Sequence, residues 1–226
     1  MHPAIERLKG GLIVSCQADP GDPLYGVQHM VAMARAAQSG GAAGIRANYP
    51  QDVRGIKQAV PLPLIGIYKK RYPGSDVYIT PTMAEVREIA NAGADIIAVQ
   101  LTNQKRPDDL TNKEFIAAIR REFPDLPIMA DISTMAEGLA ADALGVDLVS
   151  TTMSGYTPYS RQQEAPDFDL VWELAPECSV PVIAEGRIKT PDEARAARTV
   201  GAYAVVVGTA ITRPQTVTAW FAEALK

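Results

Sequence analysis

The sequence predicts a single-domain (β/α)8 TIM barrel, and three observations predict it. Short apolar runs recur about eight times along the 226 residues. They are apolar on both faces, as parallel strands covered by helices are. Stretches with helical spacing lie between them, so the chain alternates strand and helix. Barrels of this kind reach roughly 250 residues as one unit. No composition shift or low-complexity linker marks a second domain, so one domain over residues 1–226 is expected. A doubly wound open sheet is the main alternative for the same alternation.

The runs begin with "GLIVSC" from residue 11, "AAGIR" from 42 and "PLIGIYK" from 63. They continue with "ADIIAVQ" from 94, "PIMADI" from 127 and "VDLVST" from 146, and close with "PVIAEG" from 181 and "AYAVVVGT" from 202. Among the helices, "TMAEVREIANAG" follows Pro81 and "TPDEARAARTVG" follows Lys189. The second shows its boundaries in its residues. Thr190 suits the cap, Pro191 the first turn, Asp192 and Glu193 the positive helix start, and Gly201 the end. The joins "AGAD" (92–95) and "LGVD" (144–147) repeat one pattern of helix leading into strand.

Composition narrows the function classes. With 47% hydrophobic and 21% charged residues the chain buries a large core and needs no covalent staple. A net charge of −4 argues against a nucleic-acid partner, because phosphate backbones are held by fields of Lys and Arg, so any anion must be bound locally. Cys16 and Cys178 are too few for a disulfide framework and form no CxxC pair, which fits a reduced, cytoplasmic chain. The start "MHPAIERLKGG" lacks the apolar core of a signal peptide, and no uncharged run reaches the roughly 18 residues of a membrane span.

In a (β/α)8 barrel the C-terminal strand ends meet in one mouth whatever their separation in sequence. Those ends read Gln17, Arg46, Lys69, Gln100, Asp131, Thr152, Glu185 and Gly208. Any one of them alone reads as a surface group or an interloop ion pair. Together they imply a shared polar cavity, because burying them separately would require many mutual partners. After the seventh and eighth strands, "EGRI" and "VGTAITRP" place Gly186, Gly208 and Thr209 where such barrels bind phosphate through backbone N–H groups, with Arg187 and Arg213 beside them. A glycine at a strand end also reads as a simple turn.

Lys69 shares the face of Ile65 and Ile67, whereas Tyr68 and Lys70 point the other way. A lysine desolvated beside arginines has a lowered pKa and can serve as a general base; a solvated lysine pair is the other reading. Asp131 and Glu185, on different strands, are expected to act as separate carboxylates with separate roles. His2 lies in the N-terminal tail and His29 in the first helix, so no metal site is expected. Cys16 alternates toward the helices as a small core residue.

Several motifs together resemble one family. "GIRAN" (44–48), "IGIYKKRYPGSDVYITPT" (65–82), "MADIST" (129–134), "STTMSGYT" (150–157), "VIAEGRI" (182–188) and "VVVGTAITRP" (205–214) resemble the N-acetylmannosamine-6-phosphate 2-epimerases, from about Gly10 to the last helix. The resemblance implies a phosphate-binding (β/α)8 barrel. Such an enzyme interconverts N-acetylmannosamine 6-phosphate and N-acetylglucosamine 6-phosphate in sialic-acid breakdown, as a dimer and without metal or organic cofactor. Carried over by motif, the site is Gln17, Arg46, Lys69, Asp131, Glu185 and Arg213. Lys69 and Glu185 are then expected to move protons, Gln17, Arg46, Asp131 and Arg213 to bind the sugar, and Gly186, Arg187, Gly208 and Thr209 to hold phosphate. One position departs: the family usually carries aspartate after the fourth strand, where "VQLTNQKRP" has Gln100. Another phosphosugar isomerase on the same barrel, or a noncatalytic sugar-phosphate sensor, are the alternatives. In the last helix, "TVTAWFAEALK", Trp220 and Phe221 either cover the barrel or join a dimer interface.

Overall fold

The computed structural model describes residues Met1–Lys226. Eight parallel strands close on themselves in sequence order, which makes the fold a single-domain (β/α)8 barrel and sets aside the open sheet. The strands are β1 (Leu12–Cys16), β2 (Gly44–Asn48), β3 (Leu64–Ile67), β4 (Ile96–Gln100), β5 (Ile128–Asp131), β6 (Leu148–Ser150), β7 (Val182–Glu185) and β8 (Ala204–Val207). Closure is carried by β1, which pairs Ile13 with Gly44 of β2 on one side and with Val206 of β8 on the other.

A short α1 (Pro3–Glu6) precedes β1, and the crossover helices follow the strands. They are α2 (Val27–Ser39), α3 (Pro50–Ala59), α4 (Met83–Asn91), α5 (Asn112–Glu122), α6 (Met135–Ala143), α7 (Phe168–Leu174) and α8 (Pro191–Thr199). After β8 come a single turn, α9 (Thr209–Thr212), and α10 (Pro214–Glu223). Helix starts are written locally. Thr82 with Glu85, Thr111 with Glu114 and Thr190 with Glu193 each form a reciprocal cap, so two otherwise unpaired N–H groups are satisfied at each.

Strand alternation divides the core into two layers. Ile13, Ile65, Ile67, Ile96, Met129, Leu148, Ile183 and Val206 fill the barrel, with Ile5 and Leu8 packing among them. A larger shell that includes Val14, Cys16, Ala47, Ile97, Val99 and Val205 lies between strands and helices. Cys16 belongs to that outer shell, and burial pushes its thiol up to about 12.

Two boundaries differ from expectation, and both set the depth of the mouth. Strand β2 runs past Arg46 to Asn48, whose Oδ1 accepts from the N–H groups of Tyr49 and Lys69. Arg46 therefore lies one pleat inside the barrel rather than on its rim. Strand β3 stops at Ile67, and Lys69 pairs antiparallel with Ile79 in a hairpin that folds back over the end of β4. Lys69 still extends the inward face of Ile65 and Ile67, while Lys70 faces outward to Glu85 and packs beside the Tyr68 and Tyr72 rings.

Candidate active site

One cavity of about 380 Å³ opens at the C-terminal mouth, within the range typical of small-molecule sites (~300–1,000 Å³). Gln17, Arg46, Lys69, Glu185, Gly186, Arg187, Gly208, Thr209 and Arg213 all line it. Of the expected site residues, Asp131 alone does not. A second recess, bounded by Asp19, Tyr49, Arg71 and the shared Lys69 and Tyr78, meets the first at those shared residues. Backbone strain gathers here too. Tyr49, Thr80 and Arg187 are three of the four non-glycine residues with positive φ, and each ends a strand or hairpin at the mouth.

Arg46 organises the floor. Its guanidinium donates two bonds to Asp131, at 3.0 and 2.6 Å, and a third of 2.9 Å to Glu185 Oε2. It is 1% exposed, and burial by itself would lower its pKa; the two carboxylates outweigh that and hold it charged. Glu185, 13% exposed, responds in the other direction. Desolvation raises its pKa and the neighbouring Asp131 charge adds to this, against the pull of Arg46, a bond from Thr152 and Lys69. The two carboxylates share one guanidinium but differ in access, since Glu185 lines the cavity and Asp131 does not.

Lys69 makes no ion pair, and its amine faces the cavity. Burial lowers its pKa, and Arg46 and Arg213 lower it further, while Asp19 and Glu185 act in the opposite sense. Arg213, between α9 and α10, is steered by Asp19 at 3.3 Å and Asp22 at 3.8 Å. Gln17 donates to Ser15 Oγ at 2.7 Å and leaves its buried Oε1 without a partner, as an acceptor aimed at a donor from elsewhere.

The opposite wall is suited to an anion. The N–H groups of Gly186, Arg187 and Gly208 donate to no protein acceptor, and Thr209 opens α9, where helical N–H groups have no intrahelical partner. Gly186 has φ +119°, and nothing stands within 4 Å of where a side chain would begin, so a ligand can approach its backbone. The Arg187 side chain does something other than expected. Its Nε and one terminal N–H bond the carbonyls of Ala165 and Ser154, which ties the segment after β6 to β7 and leaves its backbone, not its guanidinium, at the anion wall. Gly155 is needed for that tie, since a Cβ there would stand 2.4 Å from the guanidinium.

Two rim residues are corrected. Gln100 is buried beneath the Lys69–Ile79 hairpin: its Oε1 accepts from the N–H groups of Tyr78 and Ile79, and its Nε2 donates to Thr102 Oγ1 and Gln104 Oε1 and lies 3.5 Å from Asp76 O. It fastens the hairpin and does not reach the cavity. Asp131 lies behind Arg46 and Thr152 with no exposed surface, because the arginine bonds it from the cavity side. It bonds Arg46 through both of its oxygens and does not line the cavity. Sequence reasoning passed over Ser15, Tyr78, Tyr156 and Lys189, all of which line the cavity. Alternation with Gln17 could have found Ser15; Tyr78 arrives on an irregular hairpin that carries no period. Trp220 also lines the mouth, with Lys189 over its ring at 5.5 Å.

Comparison with known proteins points one way. A family model described as "Putative N-acetylmannosamine-6-phosphate epimerase" matches residues 30–226. A relative from Caldanaerobacter subterraneus subsp. tengcongensis, named "Putative N-acetylmannosamine-6-phosphate 2-epimerase", is 53% identical over 222 residues, or 98% of this chain and 94% of the relative. A protein of the same name from Shouchella clausii is 50% identical over the full length of both chains. The solved structure of the N-acetylmannosamine-6-phosphate 2-epimerase from Clostridium perfringens superposes with a TM-score of 0.95 at 48% identity, covering 99% of this chain and 96% of that one. A thiamine phosphate pyrophosphorylase from Pyrococcus furiosus, at 18% identity and a TM-score of 0.62 over 92% of this chain and 89% of that one, shares the fold alone. With the family matched over most of the chain and relatives half identical along nearly all of it, the protein belongs to the N-acetylmannosamine-6-phosphate epimerase (NanE) family.

Proposed function

We propose that the protein interconverts N-acetylmannosamine 6-phosphate and N-acetylglucosamine 6-phosphate by proton exchange at C2, in the breakdown of amino sugars such as sialic acid. The observation that carries this reading is Lys69: an amine without an ion pair, with a lowered pKa, faces a polar cavity opposite a wall of free N–H groups. Inverting C2 requires removal of its hydrogen, which is acidic only when C1 is an open-chain aldehyde. Neutral Lys69 takes the C2 proton, and C2 takes a proton back on its opposite face, which inverts the centre with no net change in protons. Glu185, with its raised pKa, moves the proton between the C1 hydroxyl and the ring oxygen. Arg46 and Arg213 stabilise the enolate oxygen that develops, and the free Oε1 of Gln17 receives a hydroxyl or the acetamido N–H. Phosphate rests on the N–H groups of Gly186, Arg187, Gly208 and Thr209.

The fold and the two cysteines fit a cytoplasmic setting, where phosphosugars are made and held. A homodimer fits α10, a helix with no buried residue that leaves Phe221 71% exposed and Leu225 exposed beside it.

Proton NMR of the purified protein with N-acetylmannosamine 6-phosphate in deuterium oxide, with chelator and a no-enzyme control, tests the function. The gluco epimer is expected to appear with deuterium at C2, and Lys69→Ala to slow it by about 10²–10⁴-fold. A folded, ligand-binding protein that leaves the sugar unchanged overturns the reading and favours another phosphosugar or a sensor. Near-normal turnover in the Lys69 variant removes its assigned role.

A further inference from the structure

The segment after β6 enters a single 3-10 turn, Thr151–Met153, and its first two hydroxyls divide the work of holding Glu185. Thr151 Oγ1 accepts from the Glu185 N–H at 3.1 Å and donates to the Glu185 carbonyl at 3.0 Å, which fixes the backbone. Thr152 reaches the carboxylate. Its Oγ1 lies 2.7 Å from Asp131 Oδ1, 3.0 Å from Glu185 Oε2 and 2.9 Å from Ser150 Oγ, on the wall of the cavity.

Counting hydrogens shows what these distances mean. A threonine hydroxyl carries one hydrogen and two acceptor sites, and it rotates to suit its partners. It cannot donate fully to Asp131 and to Glu185 at once. With Glu185 protonated, every contact is satisfied: Glu185 Oε2–H donates to Thr152, Ser150 donates to Thr152, and Thr152 donates to Asp131. With Glu185 ionised, the same 3.0 Å contact holds only if Thr152 turns its hydrogen to Glu185. Asp131 tolerates that loss because Arg46 holds both of its oxygens.

We propose that Thr152 is a positioning residue, a hydroxyl rotor that turns its hydrogen from Asp131 to Glu185 as Glu185 gives up its proton and back as Glu185 regains it. The inference rests on the acid–base role proposed for Glu185. The transferred proton passes between Glu185 and a sugar oxygen, and Thr152 keeps its own hydrogen throughout. Glu185 thereby keeps a partner in both protonation states, while the 2.7 Å contact from Thr152 to Asp131 is held only when Glu185 is protonated. The charged groups facing Glu185 are Arg46 from β2, Asp131 from β5 and Lys69 beyond β3. Thr152 is the neutral group among these neighbours that can change from acceptor to donor.

The test compares Thr152→Val, Thr152→Ala and Thr152→Ser with the unaltered protein. One readout is the 13C-carboxyl NMR titration of Glu185, identified by its loss in Glu185→Gln. The other is the pH dependence of kcat and KM for the epimerisation. Removing the hydroxyl withdraws a charge-assisted bond from ionised Glu185 and only a weaker neutral one from its acid form, so Val and Ala are expected to move its titration to higher pH. They should lower kcat on the order of tenfold, with KM within about twofold, because the anion wall is untouched. Ser is expected to restore the titration and most of kcat. Thr152 faces open cavity, so Ala leaves no closed void, and whichever of Val or Ala folds decides the matter. A Glu185 titration unmoved in that variant overturns the proposal, even if kcat falls, and so does a Ser variant that behaves like Val. The titration needs no turnover, so an unaltered protein that fails to epimerise defeats the proposed function while leaving this inference separately decided.

Discussion

Lys69 and Asp52 show how burial acts on single groups of opposite sign. Burial lowers the lysine, which favours its neutral, basic form in the mouth. On α3, Asp52 is 1% exposed, both of its carboxylate oxygens lack hydrogen-bond partners, and desolvation raises it from 3.8 to about 6. A carboxyl whose folded pKa lies above its unfolded one contributes stability below the unfolded value and loses it as pH rises through the folded value. The loss therefore runs between about pH 4 and pH 6, and a rise of that size corresponds to roughly 3 kcal/mol at most. Asp52→Asn is expected to raise the melting temperature by several degrees at pH 7.5 and to make little difference at pH 4, as measured by calorimetry across that range. A variant no more stable at pH 7.5 than at pH 4 would remove the burial argument. Nothing in "NYPQDVRG" announced this buried acid, because its position at a helix start reads as an ordinary charged first turn.

The hairpin between β3 and α4 carries both Lys69 and Tyr78, so whatever fastens it governs the site. Gln100 does so with one side chain that both accepts and donates. Its amide is suited to this place and an aspartate is not, since a carboxylate cannot donate and is one methylene shorter. Gln100→Asp, which introduces the residue that the resemblance leads one to expect there, is expected to lower kcat and to cost about 1–2 kcal/mol in denaturant unfolding. Higher turnover in that variant would mean that the missing charge, and not the fastening, is what matters here. The strand runs, caps and alternation were legible in the residues, as Thr190, Pro191 and the inward Lys69 show. The fold-back over Gln100 was not, because it is set by hydrogen bonds between segments about twenty residues apart.

The assembled barrel leaves one helix without a place. Helix α10 buries none of its residues; Phe221 projects from it, and Leu225 is exposed just past its end, beside the wall that Trp220 and Lys189 form at the mouth. Sedimentation of the protein is expected to give a dimer, and Phe221→Glu to shift it to monomer while far-ultraviolet circular dichroism stays the same. A monomer without the substitution would defeat the dimer. If α10 is the contact, association and the mouth are linked through Trp220, and the variant should also raise KM.

Periodicity, capping residues and the order of strand ends were enough to predict an eight-stranded barrel with a polar mouth, with an open sheet as the alternative, because each follows from local geometry that repeats along the chain. The motifs that resemble the epimerases lie on those same strand ends. Depth was decided in three dimensions. Arg46 and Asp131 sit at strand ends in the sequence, yet one forms the floor of the cavity and the other lies behind it, since closing the barrel brought β2, β5 and β7 together around a single guanidinium. Two carboxylates alike in the sequence were placed differently around that guanidinium, Asp131 sealed behind it and Glu185 on the cavity wall. Such a distinction depends on desolvation and on hydrogen-bond direction, and neither exists until the strands have met.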